Sequence, residues 1–82
     1  MKYKYIVEIK NYTADGYRNT ETVENGSCDE TFRAADWLNE WDFSDVDYFG
    51  LRAVECTITF WLSGADPAFN DPAFTDSCDM YF

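Results

Sequence analysis

Residues 54–62 read Val-Glu-Cys-Thr-Ile-Thr-Phe-Trp-Leu and alternate between apolar and mainly polar side chains. Because successive side chains of a β-strand point to opposite faces, this period predicts a strand with one face turned to the core. The apolar face consists of Val54, Cys56, Ile58, Phe60 and Leu62, and the other face of Ala53, Glu55, Thr57, Thr59 and Trp61. Since β-branched and aromatic residues favour strands, the segment from Tyr48 to Leu62 is predicted to contain the central strand of a sheet packed on a helix.

Toward the amino terminus, two further segments predict a β-hairpin. Residues 2–10 alternate in the same way, and their apolar face consists of Tyr3, Tyr5, Val7 and Ile9. The dipeptide Asp15-Gly16 is typical of a tight turn. The Thr-rich segment 17–24 predicts a second strand, and its polar residues indicate a position at the edge of the sheet.

Between the hairpin and the central strand, the pattern changes to that of an amphipathic helix. Asn25-Gly26 is predicted to end the second strand, and Ser27 to cap the helix with Glu30 as its capping-box partner. The helix is predicted over 31–41, with acids near its positive amino-terminal end. Its apolar positions, spaced for one helical face, are Phe32, Ala34, Ala35, Trp37, Leu38 and Trp41.

After the central strand, the sequence Asp-Pro-Ala-Phe-Asn at 66–70 is followed by Asp-Pro-Ala-Phe-Thr at 71–75. Asp-Pro favours turns, so residues 65–82 are predicted to form a turn-rich tail in which Phe69 and Phe74 reach a hydrophobic surface. Residues 78–82 are the predicted position of an optional last strand. The chain is therefore predicted to be one α+β domain, 1–82, with a β-β-α-β core over 1–64. Its antiparallel sheet has three or four strands and packs on one amphipathic helix.

Composition and charge restrict the partners that the chain can bind. Among its 82 residues, 16 acids oppose 6 bases, which gives a net charge of −10 at pH 7. Lysine and arginine are needed to replace the counterions of phosphates, so direct binding of nucleic acid or of an anionic membrane is not expected. A protein with a basic surface is the expected partner, and the protein itself is expected to be a monomer or a homodimer. The alternative is that the charge serves only solubility.

The residues that most enzymes use are scarce in this sequence. It has no histidine, which removes the commonest general base and most zinc sites. Its three cysteines have no metal-ligand spacing, and with no secretory signal in 1–10 they are expected to be reduced thiols in the cytoplasm. A Cys28–Cys78 or a Cys56–Cys78 bridge can form on oxidation. A helix amino terminus would make Cys28 reactive, but Asp29 and Glu30 oppose this effect, so a half-buried structural thiol is expected. We therefore expect no catalytic residues, no metal, no cofactor and no membrane-spanning segment.

Carboxylates and large rings alternate in residues 36–49. This combination is typical of binding surfaces, where rings supply buried area and carboxylates pair with arginine or lysine. The candidate partner-binding residues are Asp36, Glu40, Trp41, Asp42, Phe43, Asp45 and Asp47. The carboxylates are the expected contacts, and Trp41 or Phe43 the expected apolar anchor. The alternative interpretation is that the rings belong to the core and the acids form their solvated counterface.

In size, charge and layout around residues 27–48, the chain resembles the small acidic inhibitors encoded by phages and mobile elements. These include anti-CRISPR proteins, antirestriction DNA mimics and inhibitors of uracil-DNA glycosylase. The resemblance implies a non-enzymatic protein in the host cytoplasm that occupies the basic DNA- or RNA-binding surface of an enzyme or CRISPR complex. The rival hypothesis is a structural or regulatory interaction module that uses the hairpin edge and the Phe69/Phe74 tail.

Overall fold

The computed structural model describes residues 2–13, 16, 18–41 and 51–81. Within these ranges, four strands form one antiparallel sheet in the order β2-β1-β3-β4, and one short helix packs on it. The elements are β1 (Tyr3–Thr13), β2 (Arg18–Cys28), α1 (Ala34–Glu40), β3 (Leu51–Leu62) and β4 (Phe74–Tyr81). The prediction of an α+β fold with an antiparallel sheet and one helix is confirmed, and the optional fourth strand is present.

The two strands with the clearest apolar faces form the middle of the sheet. β1 pairs with β3 along its whole length, from Tyr3 opposite Leu62 to Thr13 opposite Leu51. β2 pairs only with β1, and β4 only with β3, so these two strands are the edges. The interior position predicted for β3 and the edge position predicted for β2 are both confirmed.

The hydrophobic core lies between one face of the sheet and α1, which contacts β3 and β4. Its fully buried members are Val7, Ile9, Ala34, Leu38, Val54, Cys56, Ile58 and Phe60. The predicted apolar face of β3 is therefore confirmed except at Leu62, which is 58% exposed at the end of the strand. On the opposite face, Trp61 is buried, and its Nε1 donates to the carbonyl of Asn70 at 3.3 Å.

The predicted start of the helix is wrong. Ser27 lies in β2 opposite Lys4, so it does not cap α1, and Glu30 precedes the helix. The helix begins later, at Ala34, with Arg33 at the N-cap position and no side-chain cap from it. Instead, the backbone N–H of Ala34 donates to Oδ2 of Asp76 at 2.7 Å, from β4. The carboxylate of Asp76, 42 residues away in the sequence, thus takes the capping role that was predicted for Ser27.

The strand β2 also continues through the predicted breaker Asn25-Gly26. Both residues are paired, Asn25 with Ile6 and Gly26 with Tyr5, because β1 still offers backbone partners there. A Cβ at Gly26 would lie 3.1 Å from the Tyr5 hydroxyl oxygen. Glycine is therefore favoured at this position by the close approach of the Tyr5 side chain and not by a turn.

A β-bulge interrupts the pairing of β1 with β2. Val7 is opposite Glu24, whereas the next residue, Glu8, is opposite Thr22, so Val23 is the extra residue. Val23 packs partly buried against the core. The bulge shifts the alternation of β2 and places Glu24 on the side of the sheet that carries the helix.

The two copies of the pentapeptide repeat adopt different conformations. In the first, the carbonyl of Asp66 accepts from the N–H of Phe69 and of Asn70, at 3.0 and 2.9 Å, to form a turn. In the second, the N–H of Ala73 donates to the carbonyl of Phe60 at 2.8 Å and leads into β4, which begins at Phe74 and not at residue 78. The difference arises because only the second copy forms backbone hydrogen bonds with β3. Phe69 is 86% exposed, whereas the ring centroid of Phe74 lies 5.9 Å from that of the core residue Phe60, so of the two phenylalanines only Phe74 reaches the protein's own core.

Stability is expected to fall between pH 9 and 11 because of Cys56. Burial, and then the neighbouring Cys78 and Asp76, raise the pKa of the Cys56 thiol from 9.0 to about 11. The folded state then binds the proton more tightly than the unfolded state, so stability is full below pH 9 and declines as the pH rises toward 11. The expected loss is up to roughly 2–3 kcal/mol. Urea unfolding under reducing conditions at pH 8 and pH 10.5 measures this loss.

The matched control is Cys56→Val, which keeps an apolar side chain of similar size and removes the titrating group. The decline between the two pH values should be smaller in this variant than in the wild type by roughly 1–2 kcal/mol. Equal declines in the two proteins would contradict the assignment to Cys56.

Candidate protein-binding surface

Acidic side chains gather on the side of the sheet that carries the helix. Glu21 and Glu24 of β2 are opposite the core residues Ile9 and Val7, so they share the helix-bearing side. The helix adds two exposed carboxylates. We call the set Glu21, Glu24, Asp36 and Glu40 the acidic face.

The opposite side of the sheet differs in charge pattern. Lys4 and Lys10 of β1 lie there with Glu8, and the register adds two more acids, Glu55 and Asp79. Lys10 Nζ is 3.8 Å from Oε1 of Glu55. Since bases and acids are mixed on this side, it offers a basic partner no attraction comparable to that of the acidic face.

An open cavity of about 370 Å³ lies at the acidic face, between β2 and the carboxyl end of α1. The described residues that line it are Glu24, Trp37, Glu40 and Trp41, and we call it the Trp–Glu pocket. Trp37 and Trp41 are four residues apart, which puts them on one face of a helical segment. Their rings are stacked, with centroids 5.6 Å apart and an interplanar angle of 29°.

Glu24 is held in place by two donors. The Tyr5 hydroxyl donates to its Oε2 at 2.9 Å, and the indole Nε1–H of Trp37 donates to the same oxygen at 3.2 Å. Burial, followed by the hydrogen bond to Glu24 and its charge, raises the pKa of Tyr5, which keeps the phenol protonated as a donor. The carboxylate therefore has a defined orientation at the pocket.

Of the seven candidate residues, the structure describes three. Asp36 and Glu40 are exposed on α1, and Trp41 is half-buried at its C-cap. Glu40 and Trp41 line the Trp–Glu pocket, whereas Asp36 does not. The other four, Asp42, Phe43, Asp45 and Asp47, lie outside the described residues.

The structure also bears on the alternative that the rings are simply core. Leu38 is fully buried, and Trp37 and Trp41 pack partly buried against the core. The same two indoles line the pocket, so each has one part in the protein and another facing the cavity. Sequence reasoning missed Glu24, because the bulge at Val23 that brings it beside the helix has no recognisable signal in the sequence.

The proposed basis for a reactive Cys28 is wrong. Cys28 is the last residue of β2 and does not lie at a helix amino terminus. Burial and the negative charge of Asp29 raise the pKa of its thiol, which lowers the reactive thiolate fraction. The strand register also distinguishes the two possible disulfide bridges of Cys78. Cys78 is directly opposite Cys56, whereas Cys28 lies in β2, at the other edge of the sheet from β4.

The part of the chain that the structure describes has no arrangement of three or more cysteine, aspartate or glutamate residues that could hold a metal ion. No helix within the same ranges has the length and apolarity needed to cross a bilayer.

The class that the described residues define is a small α+β protein, in which a short helix packs on β3 and β4 at one face of a four-stranded antiparallel sheet. Comparison of the chain with protein-family models, with curated proteins and with solved structures finds no match.

Proposed function

We propose that this protein is a non-enzymatic inhibitor that docks on the basic nucleic-acid-binding surface of an enzyme or CRISPR complex and excludes its substrate. The observation that carries the proposal is the concentration of carboxylates on the helix-bearing side of the sheet, where Glu21, Glu24, Asp36, Glu40 and Asp76 outnumber Arg33 at the N-cap of α1. Two carboxylates of the acidic face, Glu24 and Glu40, adjoin two large rings, whereas the other side has acids and bases in closer balance. The proposed place of action is the host cytoplasm.

The physical basis is complementarity with a surface built to hold phosphates. A net charge of −10 draws the protein toward a positive patch, and the local carboxylates then pair with lysine and arginine. The exposed parts of the indoles supply the apolar contact that typically anchors an interface. Such docking blocks nucleic acid by occupying the same basic residues.

The chemistry of the histidine and cysteine content supports a non-catalytic role. The chain has no histidine, and burial raises the pKa of Cys28 and Cys56, so these thiols are poor nucleophiles at neutral pH. The Trp–Glu pocket brings together carboxylates and indoles, a combination suited to holding a cation.

A second candidate function is an interaction module that uses the sheet edge and the aromatic tail. The observation that favours it is the exposure of three large apolar side chains, at 58%, 86% and 77%, on Leu62, Phe69 and Tyr81. Tyr81 lies in the edge strand β4, where backbone groups can pair with an added strand. Docking of this kind is insensitive to salt, which separates it from the first proposal.

The test is capture of partners from bacterial lysate with tagged protein. At roughly 50 mM salt the wild type should recover a nucleic-acid-binding protein, and roughly 500 mM salt should release it because screening weakens exposed charge pairs. Excess duplex DNA should also release it, and the recovered enzyme should lose DNA binding when the protein is added back. Recovery that resists both salt and DNA would favour the second candidate.

Two variants with the same change in net charge locate the surface. Asp36→Lys/Glu40→Lys reverses charge on the acidic face and should reduce capture at least about tenfold. Asp71→Lys/Asp79→Lys reverses two exposed charges elsewhere and should retain capture to within about twofold. Circular dichroism confirms folding of each variant, and equal losses in the two would contradict the site.

A further inference from the structure

The pocket at the acidic face has a composition more specific than negative charge alone. Its lining combines two stacked indoles with two carboxylates in one cavity of about 370 Å³, near the lower end of the range for ligand pockets. Indoles are the best aromatic partners of cations, and carboxylates are the natural counterions. A cavity with both kinds of wall is suited to a cationic group with a flat shape.

Within the described ranges, no lysine or arginine lines this pocket. Among the described residues, neither Glu24 nor Glu40 forms an ion pair with a lysine or arginine. The last turn of α1 carries no basic residue, although the carboxyl end of a helix attracts positive charge. Two negative side chains and a helix end therefore face one cavity without a described internal counterion.

The orientation of Glu24 also suits an external donor. Both of its described hydrogen bonds, from Tyr5 and from Trp37, are accepted by Oε2. A carboxylate anchored through one oxygen keeps the other oxygen available for a donor in the cavity, at no cost of reorientation. Glu40 is exposed on the adjoining turn of the helix and provides the second carboxylate.

We propose that the Trp–Glu pocket binds the guanidinium group of an arginine side chain that the protein partner presents. The inference rests on the proposed function and specifies the residue through which the basic surface is recognised. Guanidinium is favoured over ammonium because it is planar, stacks on an indole and donates several hydrogen bonds to carboxylates. It is also less strongly hydrated, which lowers the cost of leaving water.

The test uses short peptides and the purified full chain, so it does not depend on the identity of the enzyme. Acetylated Gly-Gly-Arg-Gly-Gly amide is titrated against ¹⁵N-labelled protein, and the three indole N–H signals are followed by NMR. The signals of Trp37 and Trp41 should shift, whereas that of Trp61, on the other face of the sheet, should not. The lysine peptide, and the citrulline peptide that keeps the shape but lacks the charge, should each bind at least about fivefold more weakly.

Variants distinguish binding in the pocket from nonspecific electrostatic attraction of the peptide to an acidic protein. Glu40→Gln and Glu24→Gln each remove one charge, and the second keeps an oxygen that can accept from Tyr5 and Trp37. Each should lower the affinity for the arginine peptide about fivefold or more. Glu8→Gln makes the same change on the other side of the sheet and should alter affinity less than twofold.

Equal binding of the arginine and citrulline peptides would overturn the proposal, as would equal binding of the lysine peptide. An effect of Glu8→Gln as large as that of Glu40→Gln would also overturn it. The proposed function is tested separately by salt-sensitive, DNA-competed capture. If that capture persists while the arginine peptide fails to bind, the pocket assignment is wrong and the inhibitor proposal remains. If the arginine peptide binds but no protein is captured, the inhibitor proposal is wrong and the assignment of the pocket as a guanidinium site remains.

Discussion

Phe60→Ala is expected to lower the free energy of unfolding by about 3–5 kcal/mol, the largest effect of any single substitution considered for this protein. Phe60 is fully buried in β3 and is the centre of an aromatic cluster. Its ring centroid lies 5.1 Å from that of Phe32, 5.9 Å from Phe74 and 6.1 Å from those of Tyr3 and Tyr5. Removing the ring leaves a cavity that touches β1, β4 and the segment before α1, so no single neighbour can fill it.

The magnitude matters because small domains have little stability to lose. At roughly 0.05–0.15 kcal/mol per residue, a chain of this length is stable by about 4–12 kcal/mol. Chemical denaturation monitored by circular dichroism should therefore show that Phe60→Ala unfolds at a much lower denaturant concentration than the wild type, and that it is unfolded in water if the wild type lies near the low end of this range. Phe69→Ala makes the same chemical change at an 86% exposed side chain and should alter stability by less than about 0.5 kcal/mol. Similar losses in these two variants would contradict the core described above.

Asp76→Ala is expected to cost about 1–2 kcal/mol, through the amino terminus of α1. Its Oδ2 accepts the backbone N–H of Ala34 at 2.7 Å, and the negative charge lies at the positive end of the helix. Loss of the carboxylate leaves that partly buried donor without a partner and releases the contact between α1 and β4. Unfolding by urea, together with hydrogen exchange at Ala34, measures both consequences.

A comparison with Ser27→Ala separates long-range capping from local capping. If Ser27 capped the helix, its substitution would cost about 1 kcal/mol. Because Ser27 is an exposed residue of β2, its substitution should cost less than about 0.5 kcal/mol. Asp76→Asn keeps an acceptor and should fall between the two. A larger effect at Ser27 than at Asp76 would show that the cap has been wrongly assigned.

The acidity of the candidate surface followed from composition, but its geometry did not. Asp36, Glu40 and Trp41 could be selected from the sequence because acids and rings alternate there. Glu24 and Tyr5 could not, because they come from two strands that approach the helix only after the sheet is formed. A pocket assembled from residues distant in sequence has no local pattern, and the bulge at Val23 depends on pairing between strands.

Periodicity in the chain was enough to predict the strands β1 and β3, their buried faces and the α+β class. The alternation of Val54, Cys56, Ile58 and Phe60 reflects a local steric rule, namely that side chains two apart share a face, so no tertiary information was needed. Where elements begin and end depended on partners elsewhere in the chain. Pairing with β1 continues β2 through Asn25-Gly26, and Asp76 caps a helix that starts at Ala34. Backbone groups that are buried must find partners, and the three-dimensional arrangement alone decides which partners are within reach.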